Sequence, residues 1–219
     1  MLSENLQRST QPLVALAGVS QSFDHRMVLS NLAIEFGPGV HAITGPNGCG
    51  KTTLLSVMAG VTAPDRGEIF VSGVDMRKDP KPAKAALGYL PDKPCIYPFL
   101  HGEEFLNLVG AIRGIQDMSL CRELLAAFAL QPYLETRFSE MSLGTQRKFM
   151  LTGVFMQPLP VLLLDEPSNA LDDGARKQLV ETIQSRCTTA CVVLADHDLS
   201  LLQEISAEYL RLANGQFTV

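Results

Sequence analysis

Short apolar runs alternate along the chain with stretches in which apolar residues recur every three or four positions. Residues 13–19 alternate as a strand, and Leu32, Ile34 and Phe36 share one face of another. The polar 21–26 segment between them predicts an antiparallel hairpin layer. Residues 40–44 read as a short buried strand, 52–59 as the helix that follows, and 67–73 as a strand bounded by glycines. From about 102 to 157 the spacing is helical almost throughout, with Phe105, Leu106, Val109 and Ile112, then Leu120, Leu124, Leu125 and Phe128. Pro98, Gly114 and Pro132 punctuate those helices. Strand character returns at 161–165 and 190–196, with helices expected over 174–186 and 199–205. Residues 209–213 and 216–219 form a predicted terminal hairpin, because Asn214-Gly215 favours a type I′ turn. The alternation predicts an α/β fold with a mostly parallel central sheet, an N-terminal antiparallel β layer and an inserted α-helical subdomain.

The 219 residues suit one large domain or two small ones. Hydrophobic residues at 46% and charged residues at 19% indicate a globular chain. A formal net charge of −5 argues against nucleic acid as the main partner. No apolar run approaches the roughly 20 residues that span a bilayer, and the first twelve residues lack the apolar stretch of a secretory signal. Cys49, Cys95, Cys121, Cys187 and Cys191 leave one thiol over in any full pairing and match no zinc spacing. A reduced cytosolic protein is expected. The last hairpin is expected to end the chain at Val219 without a further regulatory domain.

Gly45-Pro46-Asn47-Gly48-Cys49-Gly50-Lys51-Thr52 matches G-x-x-x-x-G-K-[ST] at every fixed position, after a strand and before a helix. The glycines let the backbone wrap closely with its N–H groups turned inward. The helix N-terminus adds partial positive charge beneath a phosphate. Lys51 would reach the β- and γ-phosphates, the Thr52 hydroxyl would ligate Mg²⁺, and Thr53 would donate to the α-phosphate. The competing reading is a glycine-rich turn that binds nothing. Cys49 lies where a helix N-terminus depresses a thiol pKa, so it is either a readily alkylated thiol or a tolerated small residue.

The strand at 161–165 ends in Asp165-Glu166. In phosphate-loop enzymes an acid here holds Mg²⁺, the role assigned to Asp165. Glu166 would face the γ-phosphate and orient or deprotonate the attacking water. Alone, the pair also reads as acids at a solvated strand end.

Together these residues resemble the nucleotide-binding subunits of ATP-binding-cassette (ABC) transporters, from about residue 13 to 219. The resemblance implies a P-loop NTPase core over about 1–90 and 158–219, with a helical subdomain over about 91–157, in a single nucleotide-binding domain. Lys51 and Asp165 lie 114 residues apart, and the helical block fills that interval as in the family. Met141-Ser142-Leu143-Gly144-Thr145 occupies the place of the family's Leu-Ser-Gly-Gly-Gln signature; Ser142 and Gly144 match, Leu143 and Thr145 depart. Read without the family, Ser142 is a helix N-cap before a basic helix with Arg147 and Lys148. Ser168-Asn169-Ala170-Leu171-Asp172 matches the loop that crosses the dimer interface, and Asp172 also reads as an N-cap. His197 matches the switch histidine that contacts the γ-phosphate, and the flanking Asp196 and Asp198 should favour its protonated form.

Phe23 falls where the family places an aromatic that stacks on adenine; a core phenylalanine is the competing reading. Gly88-Tyr89-Leu90-Pro91-Asp92 aligns with the family's glutamine junction, with Asp92 in the glutamine's place as a further metal-site residue. It would set a third carboxylate near Asp165 and Glu166 unless Mg²⁺ offsets the repulsion. The segment from Tyr97 to Leu106 resembles an exporter-like branch, in which this region grips a helix of the membrane subunit; its apolar residues read equally as core.

The resemblance implies an ATPase subunit that binds ATP and Mg²⁺ and dimerises head to tail with a second ABC subunit, identical or different. Ser142, Gly144 and Asp172 of one subunit would then complete the site of the other. The pair would drive a separate transmembrane permease, for export, from the cytoplasmic face of the cell membrane without inserting into it. The alternative is a soluble cassette ATPase of translation or DNA repair. Translation-type members usually carry two cassettes, and repair-type members long coiled coils.

Overall fold

The computed structural model describes residues 12–94 and 96–218. Two sheets organise the chain. The first is antiparallel, in the order β2 (Arg26–Phe36), β1 (Val14–Phe23), β4 (Arg66–Val71), β5 (Val74–Asp75). The second has the order β10 (Gln216–Thr218), β9 (Glu208–Ala213), β3 (Gly39–Thr44), β8 (Cys191–Ala195), β7 (Val161–Asp165), β6 (Leu87–Leu90). It is parallel from β9 to β6, and only β10 runs antiparallel. The α/β class and the antiparallel layer therefore stand as read from the sequence.

The central strands read as continuous apolar runs because both of their faces are covered. Along β7, Val161 and Leu163 join one core with α1 (Lys51–Met58) and the antiparallel sheet. Leu162 and Leu164 join the other, with α3 (Gly102–Arg113), α4 (Ser119–Ala127), α5 (Leu143–Phe155), α6 (Asp173–Arg186) and α7 (Leu199–Glu204). Strand β8 divides the same way, with Val193 on the first side and Val192 and Leu194 on the second. Helix α1 is thus sandwiched between the sheets, with Leu54, Leu55, Val57 and Met58 fully buried.

Strand β1 runs four residues further than the sequence pattern predicts, and the turn shrinks to Asp24-His25. Both residues have positive φ, 47° and 64°, the geometry of a two-residue hairpin turn. Asn214-Gly215 makes the same kind of turn at the terminal hairpin, with φ of 50° and 76°. Helix α2 (Pro80–Ala85) and β6 carry no period long enough to be legible. In α3, Leu106 is buried as its spacing predicts, but Ile112 is 76% exposed. Cys49, Cys121, Cys187 and Cys191 are free thiols. Cys95 and Val219 lie outside the described residues, as do residues 1–11.

Gly67 in β4 faces an irregularity in β1 between Ala17 and Ser20. Its φ is +90°, and a Cβ there would lie 2.6 Å from the backbone of Gly18 and Val19. Neither atom can swing away, because both belong to the paired strand. Gly67→Ala is expected to destabilise the fold by about 2 kcal/mol or more, read as a lower urea midpoint; an unchanged midpoint contradicts this packing.

Candidate nucleotide site

Parallel register brings four loops to one rim. Leu90 pairs with Leu164, Ala42 with Leu194 and Asp165 with Ala195, so the segments after β6, β3, β7 and β8 emerge side by side. The carboxyl ends of parallel strands are where such sheets hold ligands. The loops enclose a cleft of about 670 Å³, lined by Lys51, Thr52, Thr53, Asp92, Glu166 and His197 among others.

The bend between β3 and α1 requires glycine. Gly45 has φ 148°, and a Cβ would lie 2.2 Å from the Leu212 carbonyl oxygen. The Cys49 N–H donates to the Pro46 carbonyl at 3.2 Å, closing the turn. Gly50 then caps α1 without a side chain to occupy the first N–H groups, and the first turn carries no acid. Those amides are left for an anion. Lys51 is nearly buried, and its Nζ donates to the Gly45 and Pro46 carbonyls at 3.0 and 3.4 Å. A cation is thereby held over the bend.

A second cleft of about 760 Å³ adjoins the first and shares Val28, Asn47 and Gly48 with it. Phe23 lines it and is 48% exposed, so the core reading of that residue does not hold. Pro46 and Cys49 line the same cleft. Its other wall is the Asn214-Gly215 turn, tied to β2 by the Ser30 N–H donating to the Gly215 carbonyl at 2.8 Å. The turn itself is legible in the sequence, but its place as a wall of this cleft is not, because that depends on β9 joining the sheet beside β3.

Asp165 is 1% exposed, and its Oδ2 is buried without a hydrogen-bond partner. Burial pushes its carboxyl above the ordinary range; a hydrogen bond with Thr52 opposes the shift and Asp92 adds to it. A buried orphan oxygen beside a hydroxyl suits a hard cation that brings further oxygen ligands with it. Among the described residues no three His, Cys, Asp or Glu side chains form a cage of their own. Thr52 and Asp165 therefore fit a Mg²⁺ that arrives with phosphates.

Glu166 takes a left-handed backbone with φ 49°, secured by its N–H donating to the Ala195 carbonyl at 2.7 Å. Such a conformation is strained for a residue with a Cβ. Its Oε1 lies 3.2 Å from His197 Nε2, and its Oε2 accepts from the His197 N–H at 3.3 Å. Burial, then Asp196, raise the Glu166 carboxyl, while His197 opposes. Asp196 and Asp198, expected to favour the protonated form of His197, have their carboxylates engaged by other groups. Asp196 accepts from the Ser168 N–H and hydroxyl and from the Asp198 N–H. Asp198 caps α7 and pairs with Arg176 at 2.7 Å, which holds its carboxyl well below the usual range. Adjacent in sequence, both acids turn elsewhere; the acid facing His197 is Glu166.

Asp92 lines the first cleft, but its carboxylate also lies 3.6 Å from Arg147 Nη2. Sequence reasoning saw Arg147 only as part of a basic helix, and nothing in the spacing marks it. Ser142 caps α5, its Oγ accepting from the Thr145 N–H at 3.2 Å. Gly144 packs so closely on the 166–170 loop that a Cβ would lie 2.4 Å from the Ala170 carbonyl oxygen. Asp172 caps α6 through the Ala175 N–H and pairs with Lys148 of α5. Ser142, Gly144 and Asp172 line neither cleft of their own chain. They form a separate surface, with Leu143 on it 66% exposed.

The sequence profile of the ABC transporter family matches residues 29–169. The human glucosylceramide transporter ABCA12 is 27% identical over 98% of this chain, which spans only 9% of that protein. The cytochrome c biogenesis ATP-binding export protein CcmA of Sodalis glossinidius is 31% identical over 78% of this chain and 82% of its own length. A solved structure of an ATP-binding subunit of an ABC transporter superposes with a TM-score of 0.87 at 26% identity, covering 94% of this chain and 88% of that one. With the glycine bend, the acidic strand end and the separate capped-helix surface in the family's order, the chain belongs to the ABC transporter family.

Proposed function

We propose that the chain is the ATP-binding and ATP-hydrolysing subunit of a membrane transporter. The carrying observation is that one cleft is lined both by Asn47, Gly48, Gly50, Lys51, Thr52 and Thr53 of the glycine bend and by the paired Glu166 and His197. The triphosphate lies along the bend, with Lys51 between the β- and γ-phosphates and Thr53 at the α-phosphate. The base extends into the adjoining cleft, against Phe23. Thr52 and Asp165 hold Mg²⁺, with Asp92 at the same end. The ion, when bound, neutralises charge on the β- and γ-phosphates. Glu166, its proton affinity raised by burial, accepts a proton from the water that attacks the γ-phosphate. His197 orients that carboxylate.

In this reading residues 1–90 and 158–219 form the nucleotide core, and 91–157 a helical subdomain. The surface of Ser142, Gly144 and Asp172 serves the site of a second cassette, identical or different, so that ATP joins the two and hydrolysis releases them. An apolar groove of about 280 Å³, lined by Tyr89, Ile96, Phe105, Ile112 and Met150 among others, lies between β6 and α3 and α5. It receives a permease helix, which places the subunit on the cytoplasmic face of a membrane. No helix of the described residues is long and apolar enough to cross one. Export is favoured by the likeness of the segment from Tyr97 to Leu106 to an exporter-like branch and by relatives named for export.

Glu166→Gln removes the base and leaves the bend intact. Steady-state ATPase is expected to fall by at least about 100-fold, while ATP drives a dimer that light scattering detects; unchanged turnover contradicts the role. The site also opposes folding. With its carboxyl raised, Asp165 keeps its proton longer in the folded chain than in the unfolded one. The stability this brings is full in acid and lost as pH rises through the raised value. Asp165→Asn should therefore raise the urea midpoint of nucleotide-free protein at neutral pH. The gain should vanish in acid; a lower midpoint at neutral pH contradicts the account.

A further inference from the structure

Arg147 is 3% exposed in the second turn of α5. Its Nη1 donates to the Pro91 carbonyl at 2.7 Å and its Nη2 to the Asp92 carbonyl, with the Asp92 carboxylate 3.6 Å away. A guanidinium taken out of water is tolerated only where its donors are met. Here the partners are two successive carbonyls of one loop and the acid that loop carries. A planar fork spanning two carbonyls sets both the distance and the direction of the loop, which a single ammonium cannot do.

The surroundings add a second argument. Asp92, Glu166 and Asp196 line one cleft, with Asp165 buried beneath it. Lys51 supplies positive charge from the phosphate bend, and Arg147 supplies it from α5. Burial lowers the proton affinity of the Arg147 guanidinium, and the charges of Asp92, Asp165, Asp196 and Glu166 oppose that shift. Asp92 stands where the family usually has a neutral glutamine, so this chain carries an extra negative charge at that point, and Arg147 is the cation in contact with it.

We propose that Arg147 is a positioning residue: its guanidinium fork holds the Pro91-Asp92 loop and so sets the Asp92 carboxylate at the γ-phosphate end of the cleft. It also makes α5 and that loop one mechanical unit. Ser142 lies five residues before Arg147, at the cap of the same helix. A displacement of the first turns of α5 is carried to Asp92 through two hydrogen bonds and an ion contact. The inference rests on the proposed ATPase reading, in which Ser142 meets a partner's nucleotide.

The test combines Arg147→Lys, Arg147→Met, Asp92→Asn and the Arg147→Met/Asp92→Asn double variant. Arg147→Lys keeps the buried charge and the fold but loses the fork. Its kcat for ATP hydrolysis should fall about tenfold or more, with KM for ATP within about threefold of wild type, because the phosphate bend is untouched. A kcat within about twofold of wild type overturns the proposal. So does a change confined to KM. The second readout needs no nucleotide. In urea unfolding, the midpoint loss of the double variant should be clearly smaller than the sum of the two single losses, as expected for groups in contact. Additive losses overturn the tether. A wild-type chain that hydrolyses no ATP would remove the ATPase reading, and the unfolding cycle separates that failure from failure of the Arg147–Asp92 contact.

Discussion

The turn from β3 into α1 is the constraint on which the site is built. A strand buried on both faces ends at Thr44, and a helix buried between two sheets starts at Lys51. The six residues between them reverse direction in a space closed by the Leu212 carbonyl. Left-handed backbone at Gly45, Gly48 and Gly50 is the solution, and it turns amide groups toward the rim of the sheet. The neighbouring strands then deliver their side chains to the same rim, because their parallel register aligns their ends.

That convergence has an electrostatic consequence. Asp92, Glu166 and Asp196 line one cleft, and Asp165 is buried beneath it with an oxygen unpartnered. Such a cluster is stable only with cations inside it. Lys51 and Arg147 supply them from the protein, one from the phosphate bend and one from α5. The strained backbone of Glu166 belongs to the same balance: the turn that brings its carboxylate to His197 is held by a bond to β8. The fold carries charge and strain here that folding alone does not require.

The parts legible in the sequence are those with local causes. Apolar strands, the glycine bend, the Asn214-Gly215 turn and the helix caps at Ser142 and Asp172 each depend on a few adjacent residues. Less legible were contacts set by tertiary packing. Asp196 and Asp198 sit beside His197 in the chain, yet β8 ends so that they face Ser168 and Arg176. Arg147 lies 55 residues from Asp92 and has no motif to announce it. Phe23 could not be assigned to core or surface until the extended β1 placed it at the cleft mouth. Helix α2 and β6, at six and four residues, are too short to show a period.

In the proposed function the backbone bend is the triphosphate clasp, with Lys51 held over it. Calorimetric titration of the purified chain with magnesium–ATP tests this directly, with Lys51→Ala as its companion. The prediction is saturable uptake of one nucleotide per chain in the wild type and loss of that uptake in the variant, with both proteins folded by circular dichroism. A wild-type chain that takes up no nucleotide, or a variant that binds it equally well, would contradict the account.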